Sequence, residues 1–208
     1  MNNELTFRVL FLVLFIVWHA IRVHYALKGR TPGQKRSSGE RWEEAVQREG
    51  KAFTVLWSIH NAYWFIAILL YLIGPDWMLW AQLPIPDWVR WIGVGLAVAS
   101  LPLLLWAHHT LGKQWSKLLE LKEKHKLVTS GPYSRIRHPI YTHWLTINAA
   151  LIMVSANLLL LIFYPFSIIF IYKRIGNEER MLLKQFGDEY RAYMNRTGRL
   201  LPRFYRET

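Results

Sequence analysis

Residues 140–172, IYTHWLTINAALIMVSANLLLLIFYPFSIIFIY, form an apolar stretch of 33 residues, about twice the length of an ordinary helix. A single interruption near Ser155-Ala156-Asn157 predicts two helices joined by a tight turn. Two full spans do not fit into this stretch, because a bilayer core of about 30 Å requires about 20 helical residues. We therefore expect the second helix to continue past Tyr172 into the polar chain, or the hairpin to enter the membrane only part-way.

Three further apolar stretches precede this hairpin, at residues 9–23, 53–73 and 88–107. Over the whole chain, 52% of the 208 residues are hydrophobic and 15% are aromatic, which excludes intrinsic disorder. The sequence predicts an all-α, polytopic membrane protein with five transmembrane helices. We expect a single domain, in which residues 1–110 supply three membrane helices and residues 111–208 supply a catalytic region.

The charged residues are separated from the apolar ones. Of the 26 Lys and Arg residues, 23 lie in residues 28–51, 113–137 and 173–206. The positive-inside rule places all three segments in the cytosol and the N-terminus outside, in the inner membrane if the protein is prokaryotic. This pattern accounts for the net charge of +12 without nucleic-acid binding. Attraction of residues 28–51 to anionic lipid head groups is the more natural interpretation.

Two other kinds of site are excluded or disfavoured by residue type and spacing. The absence of Cys excludes disulfides, thiol nucleophiles and Cys-ligated zinc. The eight His include His108-His109, His138 and His143, but none form a His-x-x-x-His or His-x-x-His-His pattern. The sequence therefore predicts no metal site, and a metal-dependent membrane oxidase is disfavoured.

Polar residues that could carry chemistry concentrate on the predicted cytosolic side of the C-terminal half. Gly131-Pro132 indicates a turn, and Pro139 suits the first position of a helix that His138 would cap. Free backbone N–H groups beyond such a cap can bind an anion or a ligand's polar end. Arg174 and Glu178 lie four residues apart and share a helical face. Taken singly, such residues are more often a simple cap and a surface ion pair.

Several short motifs occur together in a fixed order. They are His125-Lys-Leu-Val128, Gly131-Pro-Tyr133, Arg137-His-Pro-Ile-Tyr141, Glu178-Glu179 and Phe186-Gly-Asp-Glu-Tyr190, with Leu111-Gly-x-x-Trp115-Ser116 before them and Thr197-Gly-Arg-Leu-x-Pro202 after them. This set resembles the isoprenylcysteine carboxyl methyltransferases, integral-membrane enzymes that use S-adenosylmethionine and are related to phospholipid methyltransferases. The small five-helix prokaryotic members look most similar, and the resemblance covers residues 111–202.

The resemblance implies a set of site residues. Arg174 would position the substrate carboxylate, and the cofactor-binding residues would be Glu120, His125, Lys126, Leu127, Val128, Tyr133, His138, Pro139, Ile140, Tyr141 and Glu178. One departure is that Thr142-His143 stands where the family usually has a small residue followed by Gly. A bulkier side chain there could narrow the substrate pocket.

The implied reaction suits these residue types. A carboxylate is already ionised at neutral pH, so methyl transfer to it requires alignment and exclusion of water rather than a base. Arg174 could hold that carboxylate with a planar fork, and Tyr133 and Tyr141 could face a cationic sulfonium. A lipophilic substrate would enter from the bilayer. Two alternatives stay open: an amine or phospholipid N-methyltransferase, and a membrane scaffold without activity.

Overall fold

The structure is a computed structural model that describes residues 3–28, 38–112 and 127–203, and the regular secondary structure in these ranges is helical apart from two isolated β-bridges. Two short 3-10 helices occur at Asp76–Ala81 and Gly131–Ser134. The α-helices are α1 (Asn3–Lys28), α2 (Ser38–Glu49), α3 (Lys51–Ile73), α4 (Asp87–Leu111), α5 (Pro139–Ser155) and α6 (Leu158–Arg196).

Four helices in the described part of the chain, α1, α3, α4 and α6, are long and apolar enough to cross a membrane. The prediction of an all-α, polytopic membrane protein is therefore confirmed, with four such helices rather than the five expected. The remaining helix, α5, has only 17 residues. As the length of the apolar stretch required, α6 continues far past Tyr172 and is 39 residues long.

The short helix α5 lies at the centre of the molecule and packs against α4, α1 and α6. Its contact with α4 is close because Gly93 has no side chain. A Cβ atom at that position would lie 2.8 Å from the Ala150 carbonyl oxygen and 2.8 Å from the Met153 Cβ. Small residues allow membrane helices to approach in this way, and the packing fixes α5 against the longer helices.

The turn after α5 forms where the sequence predicted it. Ala156 takes a left-handed conformation (φ 48°), and the Asn157 side chain caps α6 by accepting a hydrogen bond from the Leu159 N–H. Nearby, Arg90 Nε donates to the Val154 carbonyl at 2.9 Å and the Leu83 N–H donates to the Ala156 carbonyl at 2.7 Å. Protein donors thus satisfy carbonyls at the end of α5, so this helix can end inside the protein.

Candidate active site

The candidate site lies where the start of α5 meets the second half of α6. The helix α6 is broken at Gly187 (φ 52°, ψ −121°), and the unbroken part before that residue is about 44 Å long, well over the thickness of a bilayer core. Its first part, residues 158–172, is apolar, and its second part carries Arg174, Glu178 and Glu179. The second part therefore extends beyond the apolar layer and brings charged groups to the beginning of α5.

Arg174 and Tyr141 are in direct contact across the two helices. Arg174 Nε donates a hydrogen bond to Tyr141 Oη at 3.0 Å, and both side chains are only partly exposed. The Tyr141 hydroxyl also hydrogen-bonds with Glu178, one turn beyond Arg174. The pairing of Arg174 and Glu178 on one face is therefore real, and Tyr141 links them.

His138 occupies the N-cap position of α5 as predicted, with Pro139 at the first helical position, but its side chain makes no capping hydrogen bond. Its ring lies between two glutamates: Nε2 is 3.2 Å from Glu179 Oε1 and Nδ1 is 4.0 Å from Glu178 Oε1. Because a carboxylate only accepts hydrogen bonds, the Nε2 atom carries a proton and donates a hydrogen bond to Glu179. His138 is 4% exposed, so this bond fixes a buried ring next to Glu178.

Glu179 is the centre of a second, buried cluster. Besides His138, it accepts hydrogen bonds from Arg137 Nε at 3.0 Å and from Arg199 Nε at 3.0 Å. Burial alone would raise the pKa of this carboxyl group. The hydrogen bonds from His138, Arg199 and Arg137 outweigh burial and lower the pKa of Glu179 from 4.5 to about 2. Glu179 is therefore ionised at neutral pH and joins α5, α6 and the C-terminal turn.

The chain beyond α6 holds the loop that leads into α5. The Arg137 N–H donates to the Gly198 carbonyl at 2.8 Å, and the His138 N–H donates to the Arg199 carbonyl at 3.1 Å. Gly198 is required here, because a Cβ atom on it would overlap the Leu201 carbonyl oxygen. The helix α6 ends at Arg196, two residues before Gly198.

Tyr133 forms one wall of the same region. It is buried in the 3-10 helix Gly131–Ser134, and its carbonyl accepts a hydrogen bond from Tyr193 Oη at 2.7 Å. Burial, with a smaller contribution from the Glu178 carboxylate, raises the pKa of Tyr133 well above its ordinary value. Tyr133 therefore stays neutral beside Glu178, as a hydrogen-bonding aromatic wall requires.

The structure brings most of the predicted site residues into one neighbourhood. The contacts given above connect His138, Tyr141, Arg174 and Glu178, and the Glu178 carboxylate also acts electrostatically on the Tyr133 hydroxyl. Pro139 and Ile140 lie in the first turn of α5, and half-buried Leu127 and Val128 lie in the chain that leads to it. The remaining predicted residues, Glu120, His125 and Lys126, lie outside the described residues.

Three residues that matter for this site were present in the quoted motifs but were given no role from the sequence. They are Arg137, Glu179 and Arg199, the members of the buried cluster with His138. The doubled glutamate at 178–179 was the available signal, since only one of two adjacent helical residues can face a ligand. A fourth, Glu49 of α2, carried no signal at all, yet its Oε1 lies 3.3 Å from Arg174 Nη1.

The side chain of His143, the departure from the family pattern, contacts α4. Its Nδ1 donates to the Ser100 carbonyl of α4 at 2.9 Å, and the ring is 1% exposed. It therefore joins α5 to α4 within the protein.

In the described ranges, no group of three or more His, Cys, Asp or Glu side chains could hold a metal ion.

Comparisons with known proteins identify the same region. Residues 92–184 match the model of the isoprenylcysteine carboxyl methyltransferase (ICMT) family. A protein-S-isoprenylcysteine O-methyltransferase from Tribolium castaneum is 31% identical over 118 residues, which are 55% of this chain and 42% of the relative. Methanethiol S-methyltransferase 1 from Bradyrhizobium diazoefficiens is 41% identical over 71 residues, which are 34% of this chain and 24% of the relative.

A solved structure is similar as well, that of the eukaryotic intramembrane Ras methyltransferase ICMT without a monobody. It has a TM-score of 0.52 and 25% identity, and the match covers 81% of this chain and 54% of that one. The chain spans less than half the length of these curated relatives. With four helices of spanning length, the chain is an integral membrane protein. Residues 92–184, which include Tyr133, His138, Tyr141, Arg174 and Glu178, match the isoprenylcysteine carboxyl methyltransferase family.

Proposed function

We propose that this protein is a membrane O-methyltransferase that esterifies the carboxylate of a lipophilic, isoprenylcysteine-like substrate with a methyl group from S-adenosylmethionine. The observation that carries the proposal is Arg174, a partly buried guanidinium that Tyr141 orients through a 3.0 Å hydrogen bond within the family-matched region. A planar guanidinium in a fixed orientation is suited to hold a carboxylate.

The residues near Arg174 fit the proposed cofactor. Glu178 is 28% exposed, and its contact with the cluster around Glu179 is a long one, 4.0 Å from its Oε1 to His138 Nδ1. Its carboxylate can therefore accept hydrogen bonds from hydroxyl or amino groups of a ligand. We propose that Glu178, Tyr133, Tyr141 and His138 hold S-adenosylmethionine, together with the other residues that the resemblance implies. When bound, this cofactor supplies an electrophilic methyl group on a sulfonium.

The residues of this chain then have to align the acceptor carboxylate with the methyl group and to shield the site from water. Arg174 binds the acceptor carboxylate through one oxygen and leaves the other for attack. No proton has to be removed, because a carboxylate is ionised at neutral pH. Burial of Tyr133 and His138 keeps water from that side of the site, and exclusion of water strengthens the electrostatic contacts within it.

The proposed topology follows from helix lengths and charge. We propose that α5, about 25 Å long at 17 residues, is the fifth membrane helix and is shielded by its neighbours. The N-terminus would be outside, and the site and the three basic segments would lie on the cytosolic side, where those segments meet anionic lipid head groups. A lipophilic substrate would reach Arg174 from the bilayer, and the soluble cofactor from the cytosol.

One observation favours a second candidate, methylation of an amine or a thiol. These nucleophiles must lose a proton before attack, and Glu49 places a carboxylate 3.3 Å from Arg174 that could accept it. The methanethiol S-methyltransferase among the relatives is named for such a substrate. We favour the carboxylate acceptor, because Tyr141 aims a guanidinium at the site and a cation suits an anionic substrate.

The experiment uses detergent-purified protein and two readouts. Calorimetric titration with S-adenosylhomocysteine tests cofactor binding, and radiolabelled methyl transfer to N-acetyl-S-farnesylcysteine tests catalysis. We expect Glu178→Ala to weaken cofactor binding. Arg174→Ala should keep cofactor binding and lose transfer, because it removes only the acceptor's anchor. Equal loss of cofactor affinity in both variants would contradict this division of roles.

The product identifies the acceptor class. A methyl ester releases methanol in alkali, whereas an N-methyl or S-methyl product does not. The carboxamide of N-acetyl-S-farnesylcysteine is the matched control, since it keeps the lipid and removes the anion. Folded wild-type protein that binds no S-adenosylhomocysteine would refute the proposal and favour a scaffold.

A further inference from the structure

Glu49 is an internal carboxylate bound at the residue assigned to the substrate's carboxylate. It is the last residue of α2. Its Oε1 lies 3.3 Å from Arg174 Nη1, and its Oε2 accepts a hydrogen bond from Asn177 Nδ2 at 2.8 Å. Its side chain is only 7% exposed. Glu49 also lies outside the family-matched residues 92–184, so the family match assigns it no role.

The contact is of moderate strength. Glu49 Oε1 is buried but accepts no hydrogen bond from any residue that the structure describes. Its contact with Arg174 therefore rests on charge attraction at 3.3 Å rather than on a paired fork. A charge-assisted hydrogen bond from a guanidinium to one carboxylate oxygen is shorter, at about 2.7–2.9 Å, and stronger than such a contact. An acceptor carboxylate with better geometry could thus displace Glu49.

The chain around Glu49 can release it. Gly50 separates α2 from α3 and has φ 90° and ψ 146°, a conformation open to glycine and strained for other residues. A Cβ atom on Gly50 would meet nothing within 4 Å, so the backbone there has open space around it. Among its described side chains α2 has none that is fully buried, and it packs mainly against α3. Rotation at Gly50 would move Glu49 without disturbing a packed core.

We propose that Glu49 is a specificity-determining residue that occupies Arg174 until an acceptor carboxylate displaces it. The inference rests on the proposed function. A partly buried guanidinium without an anion is costly, and Glu49 supplies that anion when no acceptor is bound. A neutral lipid cannot take over the charge of Glu49 at Arg174, whereas an anionic acceptor can. Displacement therefore selects acceptors that bring their own carboxylate to Arg174.

The decisive variant is Glu49→Gln, which keeps the size of the side chain and removes its charge. We expect the KM for N-acetyl-S-farnesylcysteine to fall about five- to tenfold with kcat nearly unchanged, because the competing anion is gone. Glu43→Gln is the matched control: it makes the same change on the exposed face of α2 and should leave KM as in wild type. Titration with S-adenosylhomocysteine checks that each variant is folded.

A second variant weakens the same contact without touching either charge. Asn177→Ala removes the hydrogen bond to Glu49 Oε2, and we expect a smaller fall in KM. Hydrogen–deuterium exchange of residues 38–49 gives a readout independent of turnover. In wild type, saturating N-acetyl-S-farnesylcysteine should speed exchange of these amides, and its carboxamide should not. In Glu49→Gln, exchange should be fast from the start and should not respond to the acceptor.

Two outcomes would overturn the inference. A large loss of kcat in Glu49→Gln would place Glu49 in the transfer step itself rather than in the selection of the acceptor. Unchanged KM and unchanged exchange would leave Glu49 a structural residue only. Failure of the proposed function appears separately, as wild-type protein that forms no alkali-labile methyl ester. Even then, the exchange response to the carboxylate against the carboxamide tests displacement.

Discussion

The same substitution should affect different properties at the adjacent residues Glu178 and Glu179: ligand affinity at Glu178 and stability at Glu179. Both are glutamates on α6. Glu179 is buried and accepts hydrogen bonds from three side chains, whereas the Glu178 side chain is 28% exposed. Glu→Gln keeps the side-chain volume and removes the charge. We expect Glu179→Gln to destabilise the fold. Glu178→Gln should leave stability nearly unchanged and weaken binding of S-adenosylhomocysteine.

The size of the Glu179 effect follows from its partners. The side chains of Arg137 and His138 are 10% and 3% exposed, so both would stay buried after losing the carboxylate charge. The Arg199 side chain is 37% exposed and recovers much of its hydration. Removing one partner of a buried ion pair costs about 3–5 kcal/mol, and we expect about 3 kcal/mol here because the amide still makes some hydrogen bonds. For a chain of this size, that lowers Tm by about 6–12 °C.

Thermal unfolding in detergent, followed by circular dichroism, measures the stability effect, and calorimetry measures ligand affinity. Glu178→Gln is the internal control, since it lies one residue away on the same helix. The reasoning fails if Glu179→Gln lowers Tm no more than Glu178→Gln does. It also fails if Glu179→Gln reduces S-adenosylhomocysteine affinity at temperatures where the protein is fully folded while Glu178→Gln does not.

Two further predictions test the packing of α5 and the orientation of Arg174. Gly93→Val should lower Tm in the same assay, because a Cβ atom at that position would lie 2.8 Å from atoms of α5. Such overpacking costs about 1–3 kcal/mol. Gly95→Val is the control, since a Cβ atom there meets nothing within 4 Å and the change should have little effect. Tyr141→Phe removes the hydrogen bond from Arg174 Nε but keeps the aromatic ring proposed to face the cofactor. It should raise the KM for N-acetyl-S-farnesylcysteine about tenfold and change S-adenosylhomocysteine affinity much less. An unchanged KM would show that Tyr141 does not orient Arg174.

Features that depend on neighbouring residues could be predicted from the sequence. The N-cap position of His138 and the turn at Asn157 depend on residues within one helical turn, and both are found where predicted. The five-helix count depended on length alone, and α5 at 17 residues is shorter than that estimate required. Its carbonyl groups find donors such as Arg90 from a distant helix. No periodic pattern in the sequence shows such a donor.

Contacts between distant segments explain the rest of what the sequence did not show. Glu179 meets His138 across 41 residues, and Glu49 meets Asn177 across 128. Glu49 ends a short polar helix, where an acidic residue indicates nothing more than a solvated surface. Only the fold shows that α2 ends beside α6.

The length of α6 gives the site a physical reason to lie at the membrane boundary. One helix carries the apolar segment up to Tyr172 and, within two turns, Arg174, Asn177, Glu178 and Glu179. A continuous helix holds such groups at a fixed height relative to its apolar segment, because each residue rises by about 1.5 Å. A substrate whose tail stays among the apolar helices can therefore place its carboxylate only near the start of the polar half. Arg174, two residues past Tyr172, is the first arginine on α6, and Glu49 is the anion that the substrate would meet there.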